Sequence, residues 1–285
     1  MSDSGAQADA GSGAHALGPD AHALASPGGR ALAGPRVHHR VTDSTNERAR
    51  ELALAGAPSG TVVTAGEQTA GRGRKGRRWS APAGAALLCS VILRPLETHH
   101  ALLPLAVPLA VCEAAEALAP VECKVKWPND VWLGERKLAG VLIEARPPEW
   151  AVIGVGLNLA VADEEFPPDL RWPATSLGHG VGADQALASL LMALGRWAAA
   201  GPEAVVAAFA DRDALRGRDV AWEGAGGPTA EGGGDSAADG SGAADNARAS
   251  GSGRADGIDA HGNLVVVTTG GERVSLGAGE VSLRL

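Results

Sequence analysis

Tyrosine is absent from this chain of 285 residues, and phenylalanine occurs only at Phe166 and Phe209. The core must therefore rest on Leu, Val, Ala and Ile, with the seven tryptophans used locally. Cysteine is scarce: Cys89, Cys112 and Cys123 are odd in number, widely spaced and set in apolar segments. That excludes a disulfide framework and a Cys/His metal site with CxxC spacing, and leaves three core thiols in a reducing compartment. The N-terminus has neither the basic segment nor the apolar run of a secretory signal. The most apolar stretch, Ala101 to Cys112, is interrupted by Pro104 and Pro108 and reads as too short to span a bilayer. A cytoplasmic protein without membrane contact is expected.

An excess of positive charge is missing too. The net charge of -8 argues against bulk binding to duplex nucleic acid, which needs a basic face to neutralise phosphates. It leaves room for a local anion pocket, because a focused positive loop acts inside an acidic protein. The only lysines are Lys75, Lys124, Lys126 and Lys137, and all lie in or near the motifs described below.

What is abundant is glycine, 40 residues of it, and alanine, much of it in segments unable to pack. Residues 1–36 carry Ala, Gly, Ser, His and Pro without periodicity and read as a disordered tail. A second low-complexity segment, 224–254, reads as a flexible insertion. The main domain is placed at 37–215 and a small β-domain at 216–285, interrupted by that insertion. Ser44 and Glu47 have the spacing of a capping box, which predicts a helix through Ala49, Leu52 and Leu54 that ends near Gly56. Strands are expected at 61–65, 85–93, 122–127, 131–133, 137–144 and 150–159, with a turn at Gly134-Glu135. Helices are expected at 99–119, 183–199 and 202–210. Successive short β runs favour an antiparallel or mixed sheet, and the overall class is α/β (α+β).

Gly71-Arg72-Gly73-Arg74-Lys75-Gly76-Arg77-Arg78-Trp79 concentrates three glycines and five cations in nine residues. Glycines expose backbone N–H groups that cup anion oxygens, and arginine adds a planar fork of donors. A solvated basic turn is the alternative, but strand-like runs flank the loop. It is neither a P-loop, lacking Gly-Lys-Ser/Thr, nor a Rossmann fingerprint, since charged residues occupy packing positions. Asn129 and Asp130 follow Pro128 at a turn, where Asp130 suits Mg²⁺ and an Asx-turn is the rival reading. Lys137 opens an apolar strand, either placing a compact cation near reacting oxygens or snorkelling to the surface. Gly154 and Gly156 alternate with apolar residues, which implies that something lies flat against that backbone. With Ser44, Thr45 and Gln68, these residues describe a mostly apolar pocket for a small acid.

In series, Asp43-Ser44-Thr45-Asn46, Glu67 through Trp79, Lys126-Trp127-Pro128-Asn129-Asp130, Arg136-Lys137-Leu138-Ala139-Gly140 and Gly154-Val155-Gly156-Leu157-Asn158 resemble, in order and spacing, the motifs of biotin protein ligases. The resemblance runs over roughly residues 38–285. It implies a catalytic domain of the class II aminoacyl-tRNA synthetase type with a mixed sheet, followed by a small SH3-like β-domain. It also implies an ATP- and Mg²⁺-dependent enzyme that makes biotinyl-5′-adenylate and transfers biotin to a lysine of a biotin carboxyl carrier domain of acetyl-CoA or a related acyl-CoA carboxylase. By the same resemblance Ser44, Thr45, Gln68, Gly71, Arg72, Lys137, Gly154 and Gly156 hold biotin. Arg72, Arg74, Arg77, Trp79, Asn129, Asp130 and Asn158 hold ATP and the adenylate, Asp130 holds the metal, and Lys137 and Arg74 are catalytic. Only about forty residues precede the first motif, and they lack helical periodicity. The expectation is a monofunctional enzyme without operator DNA binding, a monomer or weak homodimer. A lipoate or octanoate protein ligase, and a non-catalytic nucleotide or RNA-binding module, are the competing readings.

Overall fold

The computed structural model describes residues 15–16, 32–178, 180–224, 250–278 and 281–284. Thirteen strands and four α-helices appear among them: β1 (His15–Ala16), β2 (Arg36–His39), α1 (Thr45–Leu54), β3 (Val62–Ala65), β4 (Ala86–Leu93), α2 (Leu103–Leu118), β5 (Cys123–Lys126), β6 (Asp130–Leu133), β7 (Arg136–Arg146), β8 (Trp150–Asn158), α3 (Ala183–Ala198), α4 (Pro202–Arg212), β9 (Asp219–Gly224), β10 (Gly251–Ile258), β11 (Leu264–Thr268), β12 (Arg273–Leu276) and β13 (Val281–Arg284). The first eight strands form one mixed sheet in the order β1-β2-β3-β4-β8-β7-β6-β5, parallel only between β2 and β3. The last five form a separate antiparallel sheet, β12-β11-β10-β9-β13.

Alternation along the strands divides the large sheet into two faces. Leu87, Cys89, Val91 and Leu93 of β4, with Ile153, Val155 and Leu157 of β8, pack into the main core with α2 and α3. Ile92 and Val152, which point the other way, pack on Ala49 and Ala53 of α1. Ser90, Gly154, Gly156, Gly140, Leu142 and Glu144 share this second face by parity and register. It is the face on which the candidate site lies.

The helix α2 runs on from a 3-10 turn, making a helical run Thr98–Leu118 of 21 residues, of which the most apolar 18 have mean hydropathy 1.7. The sequence reading took its apolar stretch as too short to span a bilayer; by length and composition it is long enough. Its residues from Leu105 to Cys112 are buried in the core, against α3 and the sheet, so packing accounts for its apolarity. Pro108 stands inside α2 without ending it, and Pro104 sits in its first turn, where no N–H bond is lost.

Three details depart from the sequence reading. Ser44 is the N-cap of α1 but makes no side-chain cap bond, so the capping box does not form. Arg36, assigned to the tail, already lies in β2, and His15–Ala16 pair with that strand; the rest of residues 1–31 lie outside the described residues. Gly251 to Arg254, assigned to the insertion, belong to β10, while 225–249 lie outside the described residues. The small sheet shares the main core through Trp222, Leu264, Val266 and Leu276. It is also tied by the Trp127 indole N–H, which donates to the Gly262 carbonyl at 3.0 Å.

Candidate active site

Between α1, the glycine-arginine loop and the second face of the sheet lies a cavity of about 440 Å³. That is within the usual size for a small-molecule site. Its walls bring together Ser44, Thr45, Gln68, Arg72, Arg74, Arg77, Trp79, Asn129, Asp130, Lys137, Gly154, Gly156 and Asn158, from six separate stretches of chain. Gly71, also named from the sequence, does not line it. A Cβ there would collide with the Trp79 carbonyl, and the Gly71 carbonyl accepts the Trp79 N–H at 3.0 Å, so this glycine closes the base of the loop.

The polar end is built at the start of α1. Gln68 Oε1 accepts from the Thr45 backbone N–H at 2.7 Å and lies 3.1 Å from Thr45 Oγ1. Buried Ser90 stands behind them, its Oγ 2.8 Å from Thr45 Oγ1 and 2.7 Å from Asn46 Oδ1. Asp43 anchors the turn by accepting from the Ser44 N–H at 2.6 Å and pairing with Arg48 at 3.0 Å. Burial acts on the Asp43 carboxyl, but the bonds from Ser44, Thr42 and Arg48 outweigh it and hold its pKa below the usual carboxylate range.

The floor is a pair of cross-strand rows with glycine at the centre: Ser90, Gly154 and Leu142 in one, Leu88, Gly156 and Gly140 in the next. The sequence reading placed a ligand flat on these glycines. The structure places the protein's own side chains there. A Cβ on Gly154 would overlap Asn46 Oδ1, and one on Gly156 would overlap the Trp79 indole; at Gly140 it would come within 2.9 Å of the same ring. Trp79 Nε1 is buried in the cavity wall without a hydrogen-bond partner.

The charged end faces the loop. Lys137 Nζ lies 2.7 Å from Asp130 Oδ1 and 5.4 Å from the Trp79 ring centre. Asn129 donates to the Val141 carbonyl at 2.7 Å and accepts from Arg74 Nη1 at 3.2 Å. A second Arg74 nitrogen donates to the Ala278 carbonyl of the small β-domain. Burial, and then the neighbouring Arg77, lowers the Arg74 pKa. Lys75 is lowered by burial and then by Arg74, Arg77 and Arg171. Cations crowded to this degree favour an anion among them. Arg72 lies 3.2 Å from both Glu47 and Glu144. Asn158 is buried, with Nδ2 donating to the Thr175 carbonyl at 2.9 Å.

Sequence reasoning missed the wall formed by Phe166, Leu170, Arg171 and Trp172. That segment is fixed beside the site because the Lys137 N–H donates to the Pro173 carbonyl at 2.7 Å. Two cations lie near the Trp172 ring, Lys126 Nζ 5.1 Å and Arg171 Cζ 5.5 Å from its centre. Asn46 stood out only as part of the Asp43–Asn46 motif, and Ser90 gave no signal as a site residue.

For a divalent metal the donor set is thin. No cluster of three or more acidic, His or Cys side chains occurs among the described residues, and Asp130 is the carboxylate beside Lys137. One carboxylate with an adjacent amide fits Mg²⁺ that arrives on a triphosphate, which supplies the remaining oxygens, better than a resident ion.

Residues 38–158 match the model of the biotin/lipoate A/B protein ligase family, and residues 247–284 match the biotin protein ligase C-terminal domain. The biotin–[acetyl-CoA-carboxylase] ligase of Paracoccus denitrificans is 39% identical over 55% of this chain and 70% of its own length. The enzyme of the same description from Mycobacterium tuberculosis is 44% identical over 48% of this chain and 52% of its own. The bifunctional ligase/repressor BirA of Bacillus subtilis is 39% identical over 51% of this chain and 47% of its own. The chain thus spans about half the length of several of the curated relatives it matches. Among solved structures, the biotin protein ligase of Aquifex aeolicus in complex with biotin and ATP superposes with a TM-score of 0.70 at 26% identity, covering 87% of this chain and 98% of that one.

Proposed function

The chain belongs to the biotin/lipoate A/B protein ligase family, and we propose that it is an ATP-dependent biotin protein ligase acting on the carboxyl carrier domain of an acyl-CoA carboxylase. The observation that carries this reading is the cavity itself. It pairs a neutral hydrogen-bonding end, Thr45 and Gln68, with a cationic end, Arg74 and Lys137, across an apolar floor. A ureido ring suits the first end, a valeryl chain the floor, and a carboxylate beside a triphosphate the second.

The reaction then has two steps. A carboxylate oxygen of biotin forms a bond to the α-phosphorus of ATP, the bond to the β-phosphate breaks, and pyrophosphate leaves. Two anions must meet, so cations placed where charge develops lower the barrier. Lys137 fills that role by moving from Asp130 to the shared oxygens of acid and phosphate. Arg74, held on Asn129 and the Ala278 carbonyl, lines the phosphate path. Asn129 and Asp130 would hold the Mg²⁺ that accompanies ATP, which supplies charge neutralisation on the phosphates. In the second step a carrier lysine amine attacks the acyl carbon, AMP leaves, and the amine gives up its proton as the amide forms. Trp79 and the 166–172 wall keep water from the mixed anhydride.

Purified protein incubated with ATP, Mg²⁺ and either biotin or lipoate tests the reading, with the product identified by mass spectrometry. Biotinyl-5′-adenylate is expected. Lipoyl-adenylate without its biotin counterpart would move the protein to the other branch of its family.

A further inference from the structure

Glu144 lies on β7 opposite Val152 of β8, on the site face of the sheet. Its two carboxylate oxygens serve different parts of the site. Oε1 is 3.2 Å from Arg72 Nη1 of the glycine-arginine loop, and Oε2 accepts from Asn46 Nδ2 at 2.9 Å. Asn46 in turn lies over Gly154, with its Oδ1 2.7 Å from Ser90, and Ser90 reaches Thr45, which meets Gln68. One carboxylate thus links the cationic loop, rich in glycine, to the neutral end of the cavity.

We propose that Glu144 is a positioning residue for the neutral, ureido-binding end of this site, setting the Asn46 amide and docking the loop through Arg72; this rests on the biotin ligase reading. Asn46 is 4% exposed, so both ends of its amide must be satisfied within the protein. Ser90 takes its oxygen and Glu144 its nitrogen; the remaining acceptor, the Leu142 carbonyl, is 3.4 Å away. Without an acceptor at position 144 the amide turns, and the Ser90–Thr45–Gln68 chain loses its fixed donor and acceptor sense. Glu47 also pairs with Arg72, but it is shared with Arg50, so Glu144 is the tie from the loop to the sheet. Arg72 accordingly clasps the loop and leaves phosphate contacts to Arg74 and Lys137.

Three variants separate these roles: Glu144→Ala, Glu144→Gln and Arg72→Ala. Biotin affinity is measured by calorimetry, KM for biotin and for ATP by adenylate formation, and loop docking by the rate of tryptic cutting after Arg74, Lys75 and Arg77. Glu144→Ala is expected to weaken biotin about tenfold, equal to roughly 1.4 kcal/mol, while KM for ATP stays within about twofold and loop cutting accelerates. Glu144→Gln keeps an acceptor for Asn46, so it should retain most biotin affinity yet show fast cutting, as should Arg72→Ala. Unchanged biotin affinity and unchanged cutting in Glu144→Ala would overturn the proposal, as would equal losses for biotin and ATP. If that variant does not fold, Glu144→Gln with wild-type cutting overturns the docking role. Wild-type protein that binds no biotin sinks the ligase reading instead, and the cutting rates still decide whether Glu144 holds Arg72.

Discussion

The ammonium of Lys137 and the carboxylate of Asp130 are 2.7 Å apart, with the lysine side chain 24% exposed and the aspartate 8%. A pair this sheltered at the mouth of an anion-binding cavity is poised for exchange of partners. Substrate oxygens take the ammonium, and the carboxylate is released toward a cation that travels with the phosphates. Lys137→Ala should lower the adenylation rate by roughly 10²–10³-fold. Folding should suffer far less, because Asp130 keeps the nearby charge of Lys126. Adding Asp130→Asn to Lys137→Ala should recover thermal stability and leave adenylation low; normal adenylation in the single variant would remove Lys137 from its role.

Gly154 and Gly156 can be tested for what they make room for. A methyl at 156 pushes on the Trp79 ring, and one at 154 pushes on Asn46. Gly154→Ala should raise KM for biotin more than KM for ATP, and Gly156→Ala should do the reverse or affect both. Each should cost about 1–3 kcal/mol of stability through overpacking, read by urea denaturation.

Lys126 is 6% exposed and stacks on Trp172, and burial pushes its pKa down to about 8, against the partial opposition of Asp130. Between about pH 8 and its ordinary value of 10.5 the folded chain binds fewer protons than the unfolded one, so this group makes stability rise with pH there. Below pH 8 the full penalty, on the order of 3 kcal/mol, is in place. Lys126→Met should flatten the rise between pH 8 and 10.5 and stabilise the protein at pH 7. A steeper rise in the variant would contradict this.

Asp213 gives the opposite sign. One carboxyl oxygen accepts from the Leu215 N–H at 2.8 Å, while Oδ2 is buried without a partner, and burial raises its pKa above the usual carboxylate value. The folded state binds the extra proton. The stabilisation is therefore complete below the unfolded pKa of 3.8 and is lost as pH rises through the raised folded value. Asp213→Asn should keep the bond to Leu215 and remove that decline, seen as a Tm less dependent on pH across the acid range.

Much of this architecture was readable because its signals are local. Near-continuous apolar runs placed β4, β7 and β8 to within one or two residues, and Gly134 marked the β6–β7 turn. The motif residues named for chemistry fall around one cavity because strand order brings β3, β4, β8 and β7 side by side. What stayed hidden depends on pairing across distance. Nothing near Glu144 in sequence announces that Arg72 and Asn46 meet on it, nor that Ser90 sits behind Thr45. The two strand glycines were noticed, but their occupants come from α1 and the loop, which no strand pattern encodes. The low-complexity boundary misled for the converse reason, since pairing across distance drew Gly251–Arg254 into a strand.

If the neutral and cationic ends of this cavity act on one acid, labelled pyrophosphate must return into ATP only when that acid is present. Exchange measured with folded protein, Mg²⁺ and biotin should be strong, and it should fall to background without biotin or with Lys137→Ala. Exchange that ignores biotin, or none at all from an intact sample, would contradict the account.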